Sequence, residues 1–163
     1  MWPRGCCDSK KNGVPKLKKY RLSLALWAIL IAPVQAAELV VRDPWVRQAP
    51  PGAMATGGFA ILENPSPSDV VITSARSDAA QWVELHRTIN QNGVARMQEQ
   101  KTLQIPAGGR LVLKPGGYHL MMMQPKKITA GDRIHISLRF ADGTQQTFHA
   151  PVVRGLGGGK GTM

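Results

Sequence analysis

The sequence predicts an all-β domain, a sandwich or a barrel, preceded by an export signal. Three observations carry that reading. From Glu38 to Val153, short runs of β-branched, aromatic and other apolar residues recur, each closed by Gly, Pro, Asn or Asp. No long stretch shows the 3.6-residue apolar period of an amphipathic helix. The turn-forming stretches APPG, NPSPSD, NQNG, PAGG, KPGG, TAGD and ADG come at the close spacing of a sheet protein.

The N-terminal segment stands apart from that pattern. Residues 1–21 carry seven Lys and Arg against Asp8 alone, and a 12-residue apolar run, LSLALWAILIAP (22–33), follows before VQA-A. A basic head, an apolar run and small residues at the cleavage point are the order of a secretory signal. Residues 1–36 are therefore expected to leave, with cleavage after Ala36 or Ala37, and the rest to work in the periplasm. The apolar run is too short to span a bilayer as an ordinary helix, so no stable membrane insertion is expected after cleavage. Cys6 and Cys7 are the only cysteines and lie ahead of the run. They leave with the signal and cannot take the place of a lipidated cysteine, which follows the apolar run. The exported remainder then has no disulfide and no thiolate ligand.

Charge divides along the same boundary. Of the net +11, residues 1–36 hold +6 and the remainder +5. Beyond the leader, the longest basic run is the pair Lys126-Lys127. Charges of both signs scattered in this way mark a solvated surface and exclude nucleic acid as a partner.

The predicted strands, in order, are ELVVR (38–42), GGFAILE (57–63), DVVITSAR (69–76), QWVELHRTI (81–89) and VARMQEQ (94–100). RLVLK (110–114), YHLMMM (118–123), RIHISLRF (133–140) and TQQTFHAPV (144–152) complete the series. They form one domain over 38–153, and RGLGGGKGTM (154–163) reads as a flexible Gly-rich tail. In RIHISLRF the even positions are apolar, and Phe148, Ala150 and Val152 are their counterparts in the next run. A three-residue loop with Gly143 left-handed brings these faces together, whereas a two-residue turn opposes them. That register places His135 and His149 on the outer, wetter face, away from any ligand role. Asn92-Gly93 is the strongest hairpin signal in the chain. It pairs Gln91 with Val94 and Thr88 with Met97, which sets His86 diagonal to Met97 on one face, within side-chain reach.

YHLMMM adds the second half of a constellation. In an extended strand His119, Met121 and Met123 point one way, and Leu120 and Met122 the other. Met also fills cores, and Met122 reads as core, Met123 as rim or a substitute for Met121. With His86 and Met97, the pair His119 and Met121 makes an S₂N₂ set. Thioethers are soft, neutral ligands that suit Cu(I) and serve Zn²⁺ or Mg²⁺ poorly. Neutral donors carry no proton that metal must displace until imidazole itself protonates, so such a site holds metal to mildly acid pH. A blue-copper electron-transfer site is excluded by the missing thiolate. Glu84 reads as a surface charge, and no nucleophile or general base appears; the protein is read as a non-enzyme.

The order His86, ten residues, Met97, twenty-one residues, His119, one residue, Met121 resembles the Cu(I) signature of the periplasmic copper chaperones of the PCu(A)C type. The segments DPWVRQAPPGAMATGGFAILEN (43–64), VELH (83–86), IPAGG (105–109) and LKPGGYHLMMM (113–123) are similar to that family's shared stretches, so the resemblance spans about residues 38–152. It implies a cupredoxin-like (immunoglobulin-like) β-sandwich and one Cu(I) per domain held by His86, Met97, His119 and Met121. It further implies passage of copper to an acceptor protein, either a cytochrome c oxidase subunit during assembly of its copper centre or a thiol-based copper chaperone. Periplasmic copper scavenging and a metal-free protein-binding sandwich are the rival functions. Two departures stand out. Many members have Met after the first His, where this chain has Arg87, implying a more positive rim; and the His/Met-rich extension of some relatives is replaced by a tail whose only such residue is Met163.

Overall fold

The structure, a computed structural model, describes residues 38–155. The segment expected to be an export signal, its expected cleavage point and the tail beyond Gly155 lie outside the described residues. Ten strands and no helix occur among them: β1 (Val40–Arg47), β2 (Ala55–Glu63), β3 (Val70–Ser77), β4 (Ala80–Gln91), β5 (Val94–Glu99), β6 (Leu103–Ile105), β7 (Arg110–Leu113), β8 (Tyr118–Pro125), β9 (Arg133–Phe140) and β10 (Gln145–Val153). They follow the order β5-β4-β8-β7-β2-β1-β10-β9-β3-β6, and β8 also pairs with β2. A further pairing of β3 with β4 curls the sheet back on itself into a closed sandwich. The all-β fold expected from the turn spacing is the fold observed.

The hairpin registers agree with those read from turn chemistry. Gln91 pairs with Val94 and Thr88 with Met97, and both turn residues, Asn92 and Gly93, have positive φ. Between β9 and β10, Ile136 pairs with Phe148 and Ile134 with Ala150 across a loop in which Gly143 is left-handed at φ 86°. The apolar sets of these strands consequently meet in one core, where Leu62, Ile72, Leu120, Met122, Ile136 and Leu138 are among the least accessible side chains.

Two elements depart from the sequence reading. β1 runs on to Arg47, past the expected stop at Arg42. Pro44 lacks an N–H for the ladder, and the strand absorbs it as an irregularity between Arg42 and Trp45, with Asp43 at φ 45°. The second departure is β6, which no run predicted. Its three residues, Leu-Gln-Ile, are too few to show a period, yet Leu103 and Ile105 are buried and pair with β3. Its end is fastened by Asn64, from the loop between β2 and β3. This buried amide donates to the Ser68, Ile105 and Pro106 carbonyls.

Strands β4 and β8 are joined by seven residue pairs, from Ala80↔Pro125 to Arg87↔Tyr118. Leu85, Leu120 and Met122 point from them into the core. Strand alternation therefore turns Glu84, His86, Thr88, His119, Met121 and Met123 to the opposite face.

Candidate metal centre

The four residues singled out in the sequence lie on one face of three adjacent strands, β5, β4 and β8. His86 stands directly opposite His119, Glu84 opposite Met121, and Thr88 opposite Met97. Directly paired residues have Cβ atoms roughly 4.5–5.5 Å apart and diagonal ones lie at roughly 7–8 Å, so His86 is flanked by both His119 and Met97. His119 and Met121 are alternate residues of β8, about 7 Å apart along the strand. The two imidazoles meet edge to face, their centroids 5.7 Å apart at 60°.

Met97, His119 and Met121 line a cavity of about 400 Å³ together with Arg47, Thr56 and Phe59. His86 does not line it and joins the group through the paired ring of His119. Burial is graded across the set. His119 is 5% exposed, His86 and Met121 are partly covered, and Met97, on the edge strand β5, is 63% exposed. Met122 is fully buried and Met123 half-buried.

The side of the cavity built by β1 and β2, next to β8, was not legible from local sequence. Phe59 lies 6.3 Å from the His119 ring and packs on Trp45 at 4.3 Å. The Arg47 guanidinium sits 5.9 Å from the Phe59 centroid, and its Nε is buried without a partner among the described residues. Gly57, opposite Met121, makes this packing possible: a Cβ there would lie 2.6 Å from the Phe59 ring.

Hydrogen bonds set which ring nitrogens are spoken for. His119 Nδ1 is 3.1 Å from the Gly117 carbonyl oxygen. A carbonyl only accepts, so Nδ1 carries the proton and Nε2 the lone pair. Burial pushes the His119 pKa below its usual 6.5; the Gly117 bond opposes this and nearby His86 adds to it. The ring is thus held neutral, the form a metal requires. His86 Nε2 lies 2.9 Å from Glu84 Oε2, and its Nδ1 is buried with no partner among the described residues. The Trp82 indole N–H donates to Glu84 Oε1 at 2.7 Å and is the main cause that lowers the Glu84 pKa.

Glu84, read from sequence as a surface charge, is therefore engaged by two side chains. Trp82, Glu84 and His86 alternate along one strand, so the face they share was legible; the contacts were not. Arg87 places its guanidinium 5.1 Å from the Tyr118 ring, a stacking role beside the histidines. His135 and His149 pair on the other layer, exposed, as the β9–β10 register requires. Among the described residues no three His, Cys, Asp or Glu side chains gather as a metal site. The donors brought together in this centre are imidazoles and thioethers, a soft and neutral set.

Comparison with known proteins gives the same direction. Residues 39–152 match the family described as "Putative lipoprotein LpqE-like". The chain is similar to the Lxx21020 protein of Leifsonia xyli subsp. xyli, 38% identical over 120 residues that cover 72% of this chain and 71% of that one. It is 30% identical over 127 residues to RP573 of Rickettsia prowazekii, covering 75% and 70%. Among solved structures, the Cu(I) form of DR1885 from Deinococcus radiodurans is 30% identical with a TM-score of 0.60, covering 74% of this chain and 82% of that one. The copper-bound PCuAC domain from PmoF2 has a TM-score of 0.61 over 74% and 97% of the two chains, and at 17% identity it speaks for the fold. By sequence over most of its length the chain belongs to the family described as LpqE-like, and its fold is that of the PCuAC domains.

Proposed function

We propose that the protein binds one Cu(I) ion per domain through His86, Met97, His119 and Met121 and hands it, in the periplasm, to a copper acceptor. The observation that carries the reading is the register of β5, β4 and β8, which gathers two imidazoles and two thioethers on one face. The copper-loaded relatives support it by family. Copper here is cargo, so the site has to release as well as hold. Neutral donors allow this, because no ligand must be reprotonated when the ion leaves. Met97, exposed on the edge strand, is the first donor an incoming thiolate reaches; the buried His119 is the last. No bond in a substrate is made or broken, and the function is binding and transfer without catalysis. The acceptor in this reading is a cytochrome c oxidase subunit during assembly of its copper centre, or a thiol-based chaperone that serves it.

Titration of the exported domain with Cu(I) against a competing chelator tests the binding. One tight equivalent is expected, lost in His119→Ala and Met121→Ala; binding unchanged in those variants would overturn the site. Delivery is tested by gene deletion. Loss of oxidase activity that added copper restores is expected, whereas copper sensitivity with normal oxidase activity would replace delivery by scavenging.

A further inference from the structure

We infer that Glu84 is a positioning residue for the metal centre: held by the Trp82 indole, its carboxylate fixes the His86 ring so that copper is met by Nδ1 of His86 and Nε2 of His119. The inference rests on the copper reading and goes beyond it, to which atoms bind and what aims them.

The argument begins with donors and acceptors. An ionised carboxylate has no proton to give. The 2.9 Å contact between Glu84 Oε2 and His86 Nε2 therefore requires Nε2 to carry the hydrogen. In the neutral ring the lone pair then lies on Nδ1. That atom is buried and has no hydrogen-bond partner among the described residues. A buried polar atom left unpartnered is costly unless something outside the protein's own groups takes it up, and a soft cation is what the surrounding donors suit. His119 is oriented by the opposite nitrogen: its Nδ1–H goes to the Gly117 carbonyl, which frees Nε2. The two histidines thus present different nitrogens although they stand opposite each other on paired strands. One is aimed by its own strand's carboxylate, the other by a backbone carbonyl two residues away.

Trp82 completes the arrangement. Its N–H occupies Oε1 of Glu84 at 2.7 Å, so that the other oxygen remains for His86. The three side chains alternate along β4 on one face, which makes the chain indole–carboxylate–imidazole a product of strand geometry. Carboxylate–histidine pairs of this kind raise the basicity of the ligating nitrogen, and their loss typically costs 10–100-fold in metal affinity.

The test combines spectroscopy of the metal-free protein with binding. In long-range ¹H–¹⁵N spectra of the metal-free domain at neutral pH, His86 should appear as the Nε2–H tautomer and His119 as the Nδ1–H tautomer. Glu84→Ala should mix the tautomers of His86 alone and weaken Cu(I) binding about 10- to 100-fold in chelator competition. Trp82→Phe, which keeps the carboxylate, should weaken it less. On loading the wild-type domain, the His86 Nδ1 resonance should move while the proton on Nε2 persists. His86 found as the Nδ1–H tautomer, copper on Nε2, or full affinity in Glu84→Ala would each overturn the inference while leaving the copper reading intact. A wild-type domain that takes no Cu(I) would instead remove the copper reading, and this inference with it.

Discussion

His119 is the most deeply covered of the four side chains, and its environment ties metal binding to stability through one proton. Burial holds its pKa below 6.5 in the folded protein. Between the folded value and 6.5 the unfolded chain binds more protons, so stability rises with pH across that window. The contribution is fully present above 6.5 and is lost as pH falls toward the folded value. The melting temperature of the metal-free domain should therefore drop from about pH 7.5 to about pH 5, and His119→Gln should flatten part of that drop. Sulfur is separable from packing by comparing two methionines. Met97→Leu, at an exposed position, should change stability by less than about 0.5 kcal/mol. It should nevertheless weaken Cu(I) binding by about tenfold or more, a factor worth about 1.4 kcal/mol or more. Met122→Leu, in the core, should cost under about 1.5 kcal/mol in urea unfolding and leave binding unchanged.

At the scale of elements, the paired strands act as a ruler for the donors. The β4–β5 hairpin holds Met97 on the histidine face because its two-residue turn sets the register, and a slip of one residue would send Met97 to the other face. Strand β2, paired with β8, builds the flanking wall. Gly57 leaves room for the Phe59 ring, which stands between Trp45 and His119. In Gly57→Ala the new methyl meets that ring at 2.6 Å, and the ring must move. We expect a loss of about 1–3 kcal/mol in denaturant unfolding together with weaker Cu(I) binding in the same chelator competition. Normal affinity with reduced stability would show that this wall serves packing alone.

Across the whole molecule, the structural anchors and the metal face are set apart. Asn64 fastens the loop between β2 and β3 to the end of β6, through three carbonyls, and the Ser66 hydroxyl and amide donate back to its Oδ1. None of these partners belongs to the histidine face. Removing the amide in Asn64→Ala leaves buried carbonyls unpaired, at a cost of roughly 1–3 kcal/mol each before relaxation. Urea unfolding should record a loss of at least that order for one group, while Cu(I) affinity of the folded fraction stays at the wild-type level. A parallel loss of affinity would mean that the two regions are coupled through the closed sheet.

The sequence by itself determined what depends on neighbours in the chain. Alternation of period two assigned faces, as in the strand that puts His119 and Met121 on one side and Met122 in the core. Turn chemistry at Asn92-Gly93 and Gly143 set two registers, because few residues accept positive φ there. Only the tertiary structure decided which separate strands lie side by side: β4 against β8, hence His86 opposite His119, and β2 against β8, hence Gly57 opposite Met121. It also extended β1 past Pro44, revealed β6 and turned Glu84 from a surface charge into a hydrogen-bonded partner of His86. Pairing of distant strands follows from burying one shared core against the entropy of closing long loops. A local pattern carries the face of each residue in that competition, but the neighbour it faces is chosen by the folded whole.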